Sequence, residues 1–110
     1  MIKLHQIRIT REESREINAS PNPHAVPKYK AYCDASILGK FPGRDFYEHV
    51  ADLDTSDLDA AFEIGNIGPE DKITRRAPMH SVSVGDILED DRGFLHMVKS
   101  VGFECLNPVD

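Results

Sequence analysis

Residues 78–106 read PMHSVSVGDILEDDRGFLHMVKSVGFECL, and the alternation of β-branched runs with turn residues in this stretch writes a β meander. A first strand is predicted over Ser81-Val82-Ser83-Val84, with a bend at Gly85-Asp86 and a continuation through Ile87-Leu88. Glu89-Asp90-Asp91-Arg92-Gly93 is a five-residue hairpin loop containing glycine. Phe94 to Val98 forms the next strand. Val101 to Leu106 forms the last, with Val101, Phe103 and Cys105 expected on one face.

Upstream of the meander, Leu58, Ala61, Phe62 and Gly65 recur at helical spacing. Asp54, Thr55 and Ser56 are candidate N-caps, Asp57 and Asp59 fall in the first turn where the helix dipole favours them, and Gly65-Asn66 supplies a stop. Phe46 to Leu53 reads as a strand preceding this helix. GPED followed by KITRRAP reads as an exposed connection after it. In the opening run IKLHQIRI, Ile2 and Leu4 share one face while Ile7 and Ile9 share the other, so either both faces are covered or a bulge near His5 and Gln6 switches the phase. Thr10-Arg11-Glu12-Glu13 matches a capping box for a short helix to about Asn18, and SPNPHAVPK is a proline-rich loop. Residues 28–38 carry both a helical and an alternating pattern; Pro27 and Gly39 favour the helix.

These elements predict one small α+β domain over residues 1–110. An N-terminal strand, short helix and Pro-rich loop occupy residues 1–45, and a strand, helix and meander occupy residues 46–110. The expected sheet is mixed or antiparallel with four or five strands, packed on a main helix at about 56–65 with one or two short helices beside it. The Leu58/Phe62 stripe should face the sheet.

A chain of 110 residues with 40% hydrophobic and 29% charged residues has the composition of a folding globular domain. No apolar run approaches the roughly 18 residues of a membrane span, and MIKLHQIRITREE lacks the apolar core of a signal peptide, which predicts a cytoplasmic protein without a membrane partner. Cys33 and Cys105 have no local pairing motif and read as thiols in the apolar core. The net charge of -6 is unevenly spread: residues 45–71 hold Asp45, Glu48, Asp52, Asp54, Asp57, Asp59, Glu63, Glu70 and Asp71 with no Lys or Arg.

Candidate chemistry is sparse. His5, His24, His49, His80 and His96 show no metal-ligand spacing, so no metal and no cofactor is expected. His5 and His96 should be half-buried and hydrogen-bonded, and His24 solvated. His80, Ser81 and Asp86 have the residue types of a hydrolytic triad, but neighbours on a strand point to opposite faces, and there is no GxSxG or phosphate-binding glycine motif. A non-enzymatic protein is therefore expected. The sequence pI near 5.3 and the lack of aromatics interleaved with Lys or Arg disfavour direct nucleic-acid binding.

The order YEHVADLDTSDLDAAFEIGN, a charged connector, then HSVSVGDILEDDRGFLHMVKSVGFECL resembles the YodL-like small domains encoded by phages and conjugative elements. It covers about residues 47–106, and its most specific parts are His80 to Asp86 and Gly102-Phe103. The resemblance implies a mobile-element origin with a possible counter-defence or host-takeover setting, and carries no activity to transfer. Two roles follow as expectations. In the first, Asp52, Asp54, Asp57, Asp59 and Glu63 form an acidic surface that binds a basic surface of a host protein. In the alternative, Val84-Gly85-Asp86-Ile87-Leu88 resembles the opening of ASCH- or SH3-like β domains, and Arg75, Arg76, His80, Ser81 and Ser83 line a ligand or nucleic-acid site. Nothing in the sequence sets the oligomeric state.

Overall fold

In the computed structural model, which describes residues 1–107, the opening run keeps its alternation because both faces of the sheet are covered, and the bulge near His5 lies on the neighbouring strand. Strand β1, Ile2–Gln6, pairs antiparallel with β2, Glu48–Leu53. Leu4 lies opposite Ala51 and His5 opposite His49, so Val50 is an extra residue and the bulge sits in β2 rather than β1. The Val50 carbonyl accepts backbone N–H bonds from Arg76 at 2.8 Å and Ala77 at 3.2 Å, so its ladder position is not lost. Val50 and Ala51 are consequently both buried, where strict alternation would have exposed one.

The sheet is antiparallel throughout, with six strands in the order β3-β2-β1-β4-β5-β6 rather than four or five. The added strand is β3, Ile73–Arg75, inside the segment expected to be an exposed connection. Its three residues pair with Ala51 to Leu53, and only Ile73 turns inward, so its sequence carries no alternation to betray it. Strands β4, Ile87–Glu89, β5, Leu95–Val98, and β6, Phe103–Cys105, form the meander. The Asp90 carboxylate accepts from the N–H groups of Arg92 and Phe94 and holds the β4–β5 turn. Val101 lies in the β5–β6 turn, 90% exposed, and does not share a face with Phe103 and Cys105.

Ser81 to Val84 is not a strand. The free edge of β1 is taken by β4 directly, and Gly85, at φ +94°, bends the chain against α2; a Cβ there would stand 2.7 Å from the Ala35 carbonyl carbon. The segment is anchored by side chains instead, as described below.

Helix α1, Arg11–Ala19, starts with the expected capping box: Thr10 Oγ1 accepts from Glu13 N and Glu13 Oε1 accepts from Thr10 N, both at 3.1 Å. The proline loop includes one 3-10 turn, Pro23–Ala25. Helix α2, Pro27–Ser36, resolves the ambiguous stretch as a helix with Pro27 at its first position. Helix α3, Leu58–Asn66, is capped by Asp57, whose Oδ2 accepts from Ala60 N at 2.9 Å; the caps anticipated at residues 54–56 lie outside it. The helix also runs through Gly65. That glycine permits close packing, since a Cβ would lie 2.2 Å from Val82 Cγ2.

Two hydrophobic layers follow from the pleat. On one face Ile2, Leu4, Leu53, Leu88 and Val98 pack with Ala61 and Ile64 of α3 and with Val82. On the other, Ile87 and Met97 pack with Ile7 and with Ala31 and Ala35 of α2. Each large side chain fully removed from water contributes about 1.5–3 kcal/mol. Leu58 leans on the first layer, but Phe62 faces outward and is 39% exposed, because the inward stripe of α3 runs through Leu58, Ala61 and Ile64. Cys33 and Cys105 are free thiols at intermediate depth, and neither belongs to a core layer. No helix among the described residues is long and apolar enough to cross a membrane.

Candidate functional site

Strand direction decides where the acidic residues go. Ile2 faces Leu53 and Lys3 faces Glu89, so the chain start, the β2–α3 connection and the β4–β5 turn meet at one end of the sheet. The Met1 ammonium pairs with Asp91 there at 2.6 Å. Asp54 and Asp57 occupy the connection, while Asp59 and Glu63, one turn apart on α3, lie on the same exposed side as Phe62. All four acids are exposed, and none is in an ion pair among the described residues.

Asp52 departs from this group. It is 5% exposed, and its position opposite Lys3 puts it on the face of the sheet away from α3. Arg76 Nε donates to Oδ2 and His49 Nε2 to Oδ1, both at 2.7 Å. Burial raises its carboxyl, but these two bonds outweigh that and hold it below the usual carboxylate range. Asp52 is a buried, satisfied acid and presents no carboxylate to a partner.

The five residues of the alternative site separate. Arg75 and Arg76, adjacent at the end of an edge strand, point to opposite faces: Arg75 makes a two-point pair with Glu70 and Arg76 crosses to Asp52. Arg75, His80 and Ser81 share a groove of about 180 Å³ beside the C-terminus of α3, and Arg76 and Ser83 lie outside it. The Ser83 hydroxyl donates to the Ser81 carbonyl at 2.9 Å rather than to a histidine, so no hydroxyl–imidazole pair forms there.

What holds this segment is Gln6, a buried polar residue at the end of β1. Its Nε2 donates to the His80 carbonyl at 2.9 Å and to Asp86 Oδ2 at 3.0 Å, and its Oε1 accepts from His80 N at 3.2 Å. Ser83 N donates to the same Asp86 oxygen at 2.9 Å. Burial pushes the Asp86 carboxyl up to about 6, against the Ser83 amide, the nearby His80 ring and the Gln6 amide. Tyr47 donates its hydroxyl to the Gly85 carbonyl at 2.6 Å, and burial raises its phenol well above its ordinary value.

The remaining constellation is one that sequence spacing does not reveal. The β2 bulge brings His5 opposite His49 on the face shared with α2, with ring centroids 5.2 Å apart. His5 Nε2 donates to Glu89 Oε1 at 2.9 Å on the neighbouring strand, as His49 does to Asp52 on its own. Two carboxylate–imidazole pairs thus stand side by side, bracketed by Arg44 at 3.5 Å from Glu89 and by Arg76 on Asp52. Burial lowers the His5 pKa despite the opposing pull of Glu89. The helix α2 leaves this end of the face uncovered, and a cavity of about 260 Å³ opens there. Phe41, Tyr47, Ile87 and Leu95 form its apolar walls. His96 forms a separate half-buried pair with Asp90 at 2.8 Å, and His24 is exposed against Tyr29.

Among the described residues, no group of three or more His, Cys, Asp and Glu side chains is placed to hold a metal ion. Set against family models, curated proteins and solved structures, the chain has no match.

Proposed function

We propose that this chain is a non-enzymatic protein-binding module that engages a basic surface of another protein through the acidic end of its sheet. Asp54, Asp57, Asp59 and Glu63 supply the field, and the half-exposed Phe62 beside Asp59 and Glu63 supplies an apolar anchor. The observation that carries this is clustering: Glu48, Glu70, Glu89 and Asp90 each have a cationic or imidazole partner, whereas these four acids, like Glu12, Glu16, Asp45 and Asp71, have none among the described residues, and these four fall together within residues 54–63. A cluster of unpaired like charge raises the encounter rate with an opposite surface, and a buried aromatic anchor slows dissociation. The resemblance to mobile-element domains makes a protein of the host cell the natural partner.

The test is affinity capture from host lysate at low and high salt, comparing the natural chain with Asp59→Lys/Glu63→Lys and with Phe62→Ala. The expected result is a partner retained at low salt, weakened at least tenfold by the charge reversal and released by salt. Capture that is indifferent to both variants would remove the acidic end from consideration.

A further inference from the structure

The cavity beside His5 and His49 lies on the opposite face of the sheet from the acidic helix and plays no part in that binding mode. Each imidazole commits Nε2 to a carboxylate. Neither Nδ1 has a hydrogen-bond partner among the described residues, yet no buried side-chain nitrogen or oxygen there is left unpaired, so both Nδ1 atoms open to solvent. With the Nε2 proton held by a carboxylate, a neutral ring offers Nδ1 as an acceptor. His5 and His49 both line the cavity, so each brings an unpaired acceptor, backed by Glu89 or Asp52, to a site with aromatic and aliphatic walls.

The rest of the lining narrows the ligand. The Tyr47 hydroxyl is spent on the Gly85 carbonyl, so this residue offers its ring, tilted 32° to that of Phe41 at a centroid distance of 5.7 Å. Arg44, 67% exposed at the mouth, is held among the described residues by a long 3.5 Å contact to Glu89, weak enough to give way to an anion. A volume of about 260 Å³ sits just below the range of about 300–1,000 Å³ typical of ligand pockets and suits one ring system.

We propose that this cavity binds a single nucleobase-type heterocycle, its N–H donors on the imidazoles of His5 and His49, its face against Phe41 and Tyr47, and any attached phosphate on Arg44. The shared chemistry is a flat ring bearing N–H donors, and two sources supply it: a free nucleotide and an unpaired base of a single strand.

The experiment is a nuclear magnetic resonance titration of the full chain with the four common ribonucleosides, their 5′-monophosphates, a single-stranded hexanucleotide and benzoate. Saturable shifts at His5, His49 and Leu95 are expected for at least one nucleoside, with dissociation constants on the order of 10 μM to 1 mM. His49→Phe and His5→Phe keep the ring and remove the acceptor, and each should weaken binding about tenfold. Arg44→Ala, at an exposed position that leaves the fold intact, should weaken the monophosphate about fivefold more than the nucleoside. A hexanucleotide bound tenfold tighter than its monomer identifies the strand as source, and equal affinity identifies the free nucleotide; both support the site. Absence of saturation by about 10 mM, equal binding of benzoate, or affinity unchanged in both histidine variants with native spectra would overturn the proposal.

Discussion

Asp86→Asn should stabilise this protein at neutral pH and leave it nearly unchanged at pH 4. The wild-type carboxyl is buried and titrates near 6 in the folded chain against an ordinary value of 3.8. A raised folded pKa means that the native state holds the proton more tightly than the unfolded one. Stability linked to this group is therefore fully present below the unfolded value and is lost as pH rises through the folded value, a window of about pH 4 to 6. About two units at 1.36 kcal/mol each gives a loss of about 3 kcal/mol by pH 7, an upper bound because the native state has ways to relax around the charge. Asparagine carries no charge, and both native bonds end on one oxygen, Oδ2, so its single carbonyl can still accept from Gln6 Nε2 and Ser83 N. Urea unfolding followed by circular dichroism suits a chain without tryptophan, and it should be run for both proteins at half-unit steps from pH 4 to 8. Subtracting one curve from the other cancels His5, Asp52 and Asp90, which are common to both. His80, 4.0 Å from Asp86, does not cancel, so the pair is repeated in a His80→Gln background. The expected difference grows from near zero at pH 4 to about 2–3 kcal/mol in favour of asparagine at pH 7. A difference that stays flat with pH, or favours aspartate at pH 7 in both backgrounds, would refute the assignment of a desolvated carboxyl.

Gly65→Ala, which in an ordinary helix interior stabilises, should here destabilise by about 1–3 kcal/mol, because the new methyl meets Val82 Cγ2; in a Val82→Ala background, compared by thermal melts in a double-mutant cycle, the same change should cost less. Thr10→Ala removes one half of the α1 capping box and should cost about 1 kcal/mol, measurable as a lowered urea midpoint with an unchanged slope. His5 has a folded pKa below 6.5, so its contribution is present above that value and lost as pH falls through the window beneath it. His5→Gln should accordingly flatten the acid limb of the stability profile below pH 6.5.

Local chemistry made much of this architecture legible in the chain itself. The Thr10/Glu13 capping box, Pro27 at the head of α2, the helix begun at Leu58, though with Ile64 rather than Phe62 on its inner stripe, and the Asp90/Gly93 turn each depend on residues a few positions apart, where propensity and short-range hydrogen bonding decide the outcome. The same holds for the unpaired acids at the start of α3, since their exposure follows from lying on the polar side of an amphipathic helix. What the tertiary structure alone decided involves partners far apart in sequence. Edge strand β3 exists because the neighbouring strand offers its hydrogen bonds, the chain before Gly85 is held by Gln6 instead of a ladder, and Gly65 is occupied by the approach of Val82. Asp52 left the acidic surface because pleating sent its side chain to the other face, where Arg76 and His49 were waiting. The His5–His49 pair arises from one extra residue in β2, a register choice set by packing on both faces of the sheet, and no spacing within either strand encodes it.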